Sequence, residues 1–285
     1  MTAILYESEE WSAYALRDSL CALGEEAFLV NMEKEIPYEV LKDCDLVISR
    51  IFASAQFRGH LRSLGKMEEL HAFLKEHGIT MVNSYQAHLY EISKELSAKV
   101  LKKHGICVPE VYGTFYKEEV YRLPLSYPLI VKPDCGGRTN ETYIIQNEQE
   151  LADTVPKLPD IKMIAEEYLE PVYGYLTRIE LIGGECRLIV KRSVTENGLS
   201  AYRFGSVYEH YDDCRESIRK TAVRAMELLD IEMGSMDIIE NESGFYIIDI
   251  NAVSNVSQDN TEMFQFDLMK EMAEYIAKKY RNLCS

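Results

Sequence analysis

The chain has 285 residues, 47% hydrophobic and 27% charged, and its 47 acidic against 31 basic side chains leave a formal charge of −16. That balance opposes loose binding to nucleic acid or to an anionic membrane surface, and no apolar run approaches the ~20 residues that a membrane span needs. The length is enough for two or three domains or subdomains with cores of their own.

The start, Met-Thr-Ala-Ile-Leu-Tyr-Glu-Ser, lacks a basic segment followed by a signal-peptide core, so the expected location is the cytoplasm. Strand and helix signals then alternate: Thr2 to Tyr6, Ser12 to Leu23 with Leu16, Leu20 and Leu23 on one face, Phe28 to Val30, Asp45 to Ser49, Lys66 to His77, and Ile79 to Val82. Such alternation predicts a parallel α/β layer over residues 1–82. Asn83-Ser84 reads as the cap of a helix whose Leu89, Ile92, Leu96 and Val100 form one apolar stripe, and Gly105 ends it. Strands dominate the middle: Val111 to Tyr116, Leu129 to Lys132, Thr142 to Gln146, Met163 to Tyr168, Thr177 to Ile182 and Glu185 to Lys191. A helix bearing Ile218, Ala222, Ala225 and Leu229 follows, and Thr261 to Tyr280 reads as a single closing helix with Phe264, Leu268, Met272 and Ile276 inward. Seven cysteines (Cys21, Cys44, Cys107, Cys135, Cys186, Cys214, Cys284) show no CxxC and no His at zinc spacing, and read as reduced, mostly buried thiols; Cys135 stands out by lying in a glycine-containing loop.

Two stretches carry chemistry. In "YPLIVKPDCGGRTNETYII" a lysine ends an apolar strand and Gly136-Gly137 follow, giving a fixed cation and backbone amides able to approach a phosphate chain; this is not the GxxxxGK[ST] loop. In "MDIIENESGFYIIDINAVSN" two β-rich runs flank a turn. A three-residue loop Glu242-Ser243-Gly244 sets Asn241 opposite Phe245, Asp237 opposite Asp249, and Asn251 two residues on along the same face; a two- or four-residue loop would put the carboxylates on opposite faces. Carboxylates about 5 Å apart repel by about 3 kcal/mol at an effective dielectric of about 20. Either the pair is a solvated hairpin end or a cation sits between them, and two carboxylates with an amide suit Mg²⁺.

With "MIAEEYLEP" and the Arg-bearing hairpin "TRIELIGGECRLIVKR" added, the order of parts resembles the ATP-grasp ligases, and within them the ribosomal-protein glutamate ligases and lysine-biosynthesis carrier-protein ligases, the RimK/LysX-like branch. The likeness runs from "DLVISRI" through "VNS", "LKKHGICVPE" and "IVKP" to "DIIENESGFYIIDIN". It implies an α/β (α+β) ATP-grasp fold: an N-terminal α/β domain (1–82), a small β-rich central subdomain with the glycine loop (83–165), and a C-terminal α+β subdomain with hinge and metal site (166–285). It further implies an ATP-dependent carboxylate–amine ligase acting through an acyl phosphate, with ADP and phosphate released. By the same resemblance Lys94 and Lys132 contact ATP, Gly136, Gly137 and Arg138 cover its phosphates, Glu166, Glu167, Tyr168 and Leu169 hold adenine, and Asp237, Asp249 and Asn251 bind two Mg²⁺ ions, with Mn²⁺ an alternative. Arg192 and Arg203 flank the transferred phosphate as catalytic groups, while Arg50 and Arg178 face substrate. Implied partners are a small-molecule or peptide carboxylate and an amine, or a carrier protein, in a dimeric or tetrameric assembly.

The sequence also departs from that pattern. Asp249 stands where Glu is usual, Leu176 where an acidic residue holds ribose, and Ser200-Ala-Tyr-Arg203-Phe-Gly205 and Ala252-Val-Ser-Asn255 differ from the family stretches near substrate. The rival expectations are an ATP-grasp kinase and a nucleotide-binding module without turnover.

Overall fold

The computed structural model describes residues 1–7, 11–196 and 198–280; Cys284, read above as a thiol, lies outside them. Strands β1 (Thr2–Tyr6), β2 (Ala27–Asn31), β3 (Leu46–Arg50) and β4 (Thr80–Val82) form a parallel sheet in the order β2-β1-β3-β4. A parallel sheet buried on both faces needs apolar side chains on both. Ile4, Leu46 and Ile48 accordingly pack with helix α1 (Trp11–Ala22), and Ala3, Leu5 and Val47 with residues of α2 (Tyr38–Leu41), α3 (Leu61–Gly65) and α4 (Met67–Glu76).

After β4 the single expected helix is two, α5 (Tyr85–Glu91) and α6 (Lys94–Lys103). Ser93 breaks it by taking up an extended conformation and accepting a hydrogen bond from the Leu96 amide at 3.3 Å. The break leaves Leu96 exposed, so the predicted stripe is discontinuous, and it makes Lys94 the first residue of α6. Ser84 caps α5, whereas Asn83 does something the sequence did not suggest. Its amide nitrogen donates to the carbonyls of Met233 (2.6 Å) and Ala252 (2.5 Å), and its oxygen accepts from the amides of Glu232 (2.8 Å) and Met233 (3.0 Å), tying the end of the parallel sheet to the C-terminal part of the chain.

The central sheet is antiparallel, order β5-β8-β6-β7, from β5 (Val111–Phe115), β6 (Leu129–Pro133), β7 (Tyr143–Ile145) and β8 (Met163–Glu167). Leu129, Val131, Met163 and Ala165 turn to a core closed by Leu151 of α7 (Glu148–Thr154), so the alternate residues Ile130, Lys132, Ile164 and Glu166 share the opposite face.

The third sheet has five strands, order β11-β10-β9-β12-β13: β9 (Tyr175–Ile182), β10 (Glu185–Ser193), β11 (Tyr208–His210), β12 (Met233–Asn241) and β13 (Gly244–Asn251). Ile179, Leu181, Ile189 and Met236 pack on Ile218, Ala222 and Met226 of α8 (Glu216–Leu228), which leaves Arg178, Glu180, Arg192 and Asp237 for the other face. The β12–β13 turn has two residues between Asn241 and Gly244, not the three expected, yet Asp237 does pair with Asp249. A register shift between Asp237 and Ile238 admits one extra residue, Ile248, and restores the facing that the shorter turn would have lost. Gly234 in β12 is required by close approach: a Cβ there would lie 2.4 Å from the Asn251 carbonyl oxygen.

The closing helix is likewise two, α9 (Gln258–Phe264) and α10 (Leu268–Tyr280). Gln265, left-handed at φ 49°, ends the first, and the Asp267 carboxylate accepts from the amides of Met269 (3.0 Å) and Lys270 (3.1 Å) to start the second. Met269, Met272 and Ile276 of α10 share a core with Leu16 and Leu20 of α1. No helix among the described residues is long and apolar enough to cross a membrane.

Candidate active site

The bare faces of the central and third sheets oppose each other across a cleft lined by Ile130, Lys132 and Glu166 on one side and Leu176, Arg192, Asp237, Ile239 and Asp249 on the other. At Asp237, Asp249 and Arg192 it opens into a second cavity of about 660 Å³ that reaches the N-terminal layer at Trp11 and Phe52.

The acidic pair lies in a lattice of cations. Asp249 receives the Lys94 ammonium at 2.8 Å, and Lys94 also donates to the Gly136 carbonyl at 3.2 Å. Burial opposes charge on both partners of this pair, and their mutual attraction overrides it: Lys94 is held above its ordinary value, and Asp249, with Lys132 also near, below the usual carboxylate range. Asp237 accepts from Arg192 at 3.0 Å and from Arg178 at 3.3 Å. Lys132 pairs with Glu166 at 2.7 Å and donates to the Ile248 carbonyl at 3.2 Å, which the bulge turns toward it.

The glycine loop obtains its shape in an unexpected way. A Cβ on Gly136 would lie 3.0 Å from both Phe57 and Pro133, so any larger residue there would crowd both side chains. The left-handed backbone falls instead on Arg138 (φ 62°), Thr139 (φ 56°) and Glu141 (φ 48°). Arg203 latches this loop, donating to Asn140 Oδ1 at 2.7 Å and to the Thr139 carbonyl at 2.6 Å. Glu166, Glu167, Tyr168 and Leu169 line the first cavity. The amides of Glu167 and Tyr168 already donate to the Glu110 (2.8 Å) and Pro128 (3.3 Å) carbonyls, which narrows what a nucleobase can use there.

Two expected substrate residues are placed differently. Arg50 is buried, donating to the Ser254 carbonyl (2.9 Å) and Ser12 Oγ (3.1 Å), and lines neither cavity; it joins the parallel sheet to the segment after β13. Arg178 does line the larger cavity, but its guanidinium is committed to Glu180 (2.8 Å), Ser235 (2.8 Å), Ser254 (3.0 Å) and Asp237. It positions Asp237. Of the six described cysteines only Cys44 and Cys214 are buried, against the expectation that most would be. The Cys135 thiol donates to the Ala53 carbonyl at 3.6 Å and burial pushes it up to about 12, away from the range of a reactive thiolate.

Sequence reading missed Glu91 and Glu180, and it placed the segment of Ser254 and Asn255 near substrate without giving those side chains a role. Glu91 is buried, its carboxylate accepting from the amides of Ala53 (3.1 Å) and Ala252 (2.5 Å), and burial pushes it up to about 7. Glu180 was legible from strand periodicity, two residues beyond Arg178 on one face. The others lie on a helix and in a loop whose facing the local pattern does not fix.

The donor set fits a hard cation. Among the described residues no three His, Cys, Asp or Glu side chains group as a metal site; Asp237, Asp249 and Asn251 offer two carboxylates and an amide, a set that suits an ion completing its shell with phosphate oxygens and water.

A family model, the RimK-like ATP-grasp domain, matches residues 92–276. Among curated proteins the chain is 23% identical to a D-alanine–D-alanine ligase of Pediococcus pentosaceus, over 68% of this chain and 56% of that one. It is 22% identical to N-acetylaspartylglutamate synthase A of Mus musculus, over 73% and 55%, and 23% identical to a probable alpha-L-glutamate ligase of Histophilus somni, over 89% and 83%. It thus spans little more than half the length of the first two. A RimK domain ATP-grasp protein from Sphaerobacter thermophilus superposes with a TM-score of 0.71 at 17% identity, covering 96% of this chain and 98% of that one. The ATP-grasp ligase PsnB, in complex with minimal precursor, Mg and ADP, superposes at 0.68 and 16% identity, covering 99% and 98%. At such identities the likeness to these structures establishes the fold.

Proposed function

Because the chain belongs to the RimK-like ATP-grasp family, we propose that it is an ATP-dependent carboxylate–amine ligase: ATP phosphorylates a carboxylate, an amine attacks the acyl phosphate, and an amide, ADP and phosphate result. The observation that carries this reading is the facing of Lys94, Lys132 and Arg192 with Asp237, Asp249 and Asn251 where two cavities meet under one glycine loop. One cavity takes the nucleotide and the other the reactants.

Lys94 and Lys132 bind the phosphate chain, and the loop from Gly136 to Asn140, latched by Arg203, covers it and excludes water that would hydrolyse the acyl phosphate. Glu166 holds Lys132 in place from the next strand. The hinge from Glu166 to Leu169, together with Ile130, Leu176, Ile239 and Ile248, forms the base and sugar end. Asp237, Asp249 and Asn251 hold a pair of magnesium ions, which neutralise phosphate charge so that two anions can meet. Arg192, oriented by Ser200 at 2.9 Å, adds a guanidinium on the side of the transferred phosphate.

The test is ADP release by purified protein with ATP and Mg²⁺ across amino acids, dipeptides and carrier peptides, with mass spectrometry of the products. Amine-dependent ADP release with an equal yield of amide supports the ligase. A phosphorylated product without amide identifies a kinase instead, and no ADP with any substrate leaves a binding module.

A further inference from the structure

The larger cavity has a wall that phosphoryl transfer does not explain. Leu188 and Val190 continue the β10 face that ends in Arg192, and Val256 and Phe264 come from the segment after β13 and from α9; all four are buried and line the cavity. Trp11, 48% exposed and the chain's one tryptophan, lines the same cavity from the first turn of α1. The same cavity holds an orphaned acceptor beside Val256: Asn255 Oδ1 is buried and receives no hydrogen bond. A buried acceptor without a partner is costly unless a ligand supplies the donor.

The cations nearby do not offer an anionic side chain an easy partner. Four arginines line the cavity: Arg178 is committed to Glu180 and Asp237 and Arg203 to the glycine loop, while Arg138 and Arg192 are given to the phosphates by the ligase reading.

We propose that this cavity is a subsite for an amino acid, or the terminal residue of a short peptide, with an apolar side chain. The side chain lies against Leu188, Val190, Val256 and Phe264, and an N–H of the reactant donates to Asn255 Oδ1. The proposal rests on the ligase reading for the occupant being a reactant, and its substance is the selection of apolar over acidic side chains.

Trp11 provides a readout independent of turnover. Protein with Mg²⁺ and a non-hydrolysable ATP analogue is titrated with leucine, phenylalanine, glutamate and aspartate, followed by Trp11 emission and calorimetry. Leucine and phenylalanine are expected to bind about tenfold or more tighter than glutamate, with a blue shift as Trp11 is covered. Val190→Thr, which keeps the side-chain shape and the strand, is expected to weaken leucine by roughly fivefold or more while affinity for the analogue holds, with a melting temperature lowered by the buried hydroxyl but native circular dichroism. Asn255→Ala is expected to weaken leucine and phenylalanine alike. Equal or tighter binding of glutamate, binding with unchanged Trp11 emission, or no binding of either apolar amino acid overturns the proposal. Leucine binding without amine-dependent ADP release overturns the ligase reading and leaves the subsite; glutamate-dependent ADP release without leucine binding does the reverse.

Discussion

Asp249 and Lys94 are each partly buried and each hold their charge because of the other. Removing one leaves the second as an uncompensated ion, an effect worth about 3–5 kcal/mol in buried pairs. Asp249→Asn keeps a hydrogen-bond partner for Lys94 and removes the carboxylate, so it is expected to stay folded by circular dichroism while ADP release falls by about a hundredfold or more. Turnover retained within a few-fold would remove Asp249 from the metal site. Glu91 gives a pH-dependent counterpart. Burial lifts it to about 7 in the folded chain, so on folding it retains a proton that the unfolded chain releases from about 4.5 upward. Its contribution to stability is therefore full below about 4.5, declines as pH rises to about 7 and is level above, by at most about 3 kcal/mol. Glu91→Gln should flatten the decline in melting temperature between pH 5 and 7; an unchanged slope would mean that Glu91 is ionised throughout. The sequence shows Glu91 as one acidic residue within a single long helix, and nothing local states that both its oxygens meet backbone amides from two distant segments.

At the level of elements, the two acidic strands were readable because β alternation and apolar runs are local, whereas the facing of Asp237 with Asp249 was expected from a three-residue turn that the chain does not make. The route was not readable: the chain uses a two-residue turn and a bulge, and only the pairing of β12 with both neighbours reveals the extra residue. The helix breaks at Ser93 and Gln265 were missed for a related reason, since the apolar spacing continues across both and the capping groups decide where each helix restarts. The glycine loop has its own test. Its left-handed residues carry conformational strain, and Arg203 holds them with two hydrogen bonds from an exposed side chain. Arg203→Ala is expected to change the melting temperature little, to raise KM for ATP by about fivefold or more, and to speed protease cleavage within residues 136–141 in the absence of nucleotide. Unchanged cleavage would show that the loop holds its form without the latch.

Across the whole molecule, three sheets meet at the cleft, and beside the apolar core that the first and third share polar groups join them: Asn83, Arg50 and Glu91 each reach backbone atoms of the segment from Ala252 to Ser254. Asn83 satisfies four backbone groups. Asn83→Ala leaves two buried amides and two carbonyls short of a partner and is expected to lower unfolding free energy by about 2–4 kcal/mol in urea titration, with affinity for nucleotide weakened in parallel. A loss below about 0.5 kcal/mol would mean that the sheets are held by apolar packing alone. Such long-range joints escape sequence reading because their partners are about 150 residues apart, whereas the cleft's cations and carboxylates were singled out because they fall in stretches whose order along the chain resembles a known family.

The most direct measurement is a crystal structure with Mg²⁺ and a non-hydrolysable ATP analogue. The triphosphate is expected between Lys94 and Lys132, with its metal ions on Asp237, Asp249 and Asn251 and the loop from Gly136 to Asn140 closed over it. A nucleotide bound elsewhere, or bound here with the ions away from those three side chains, would contradict the account.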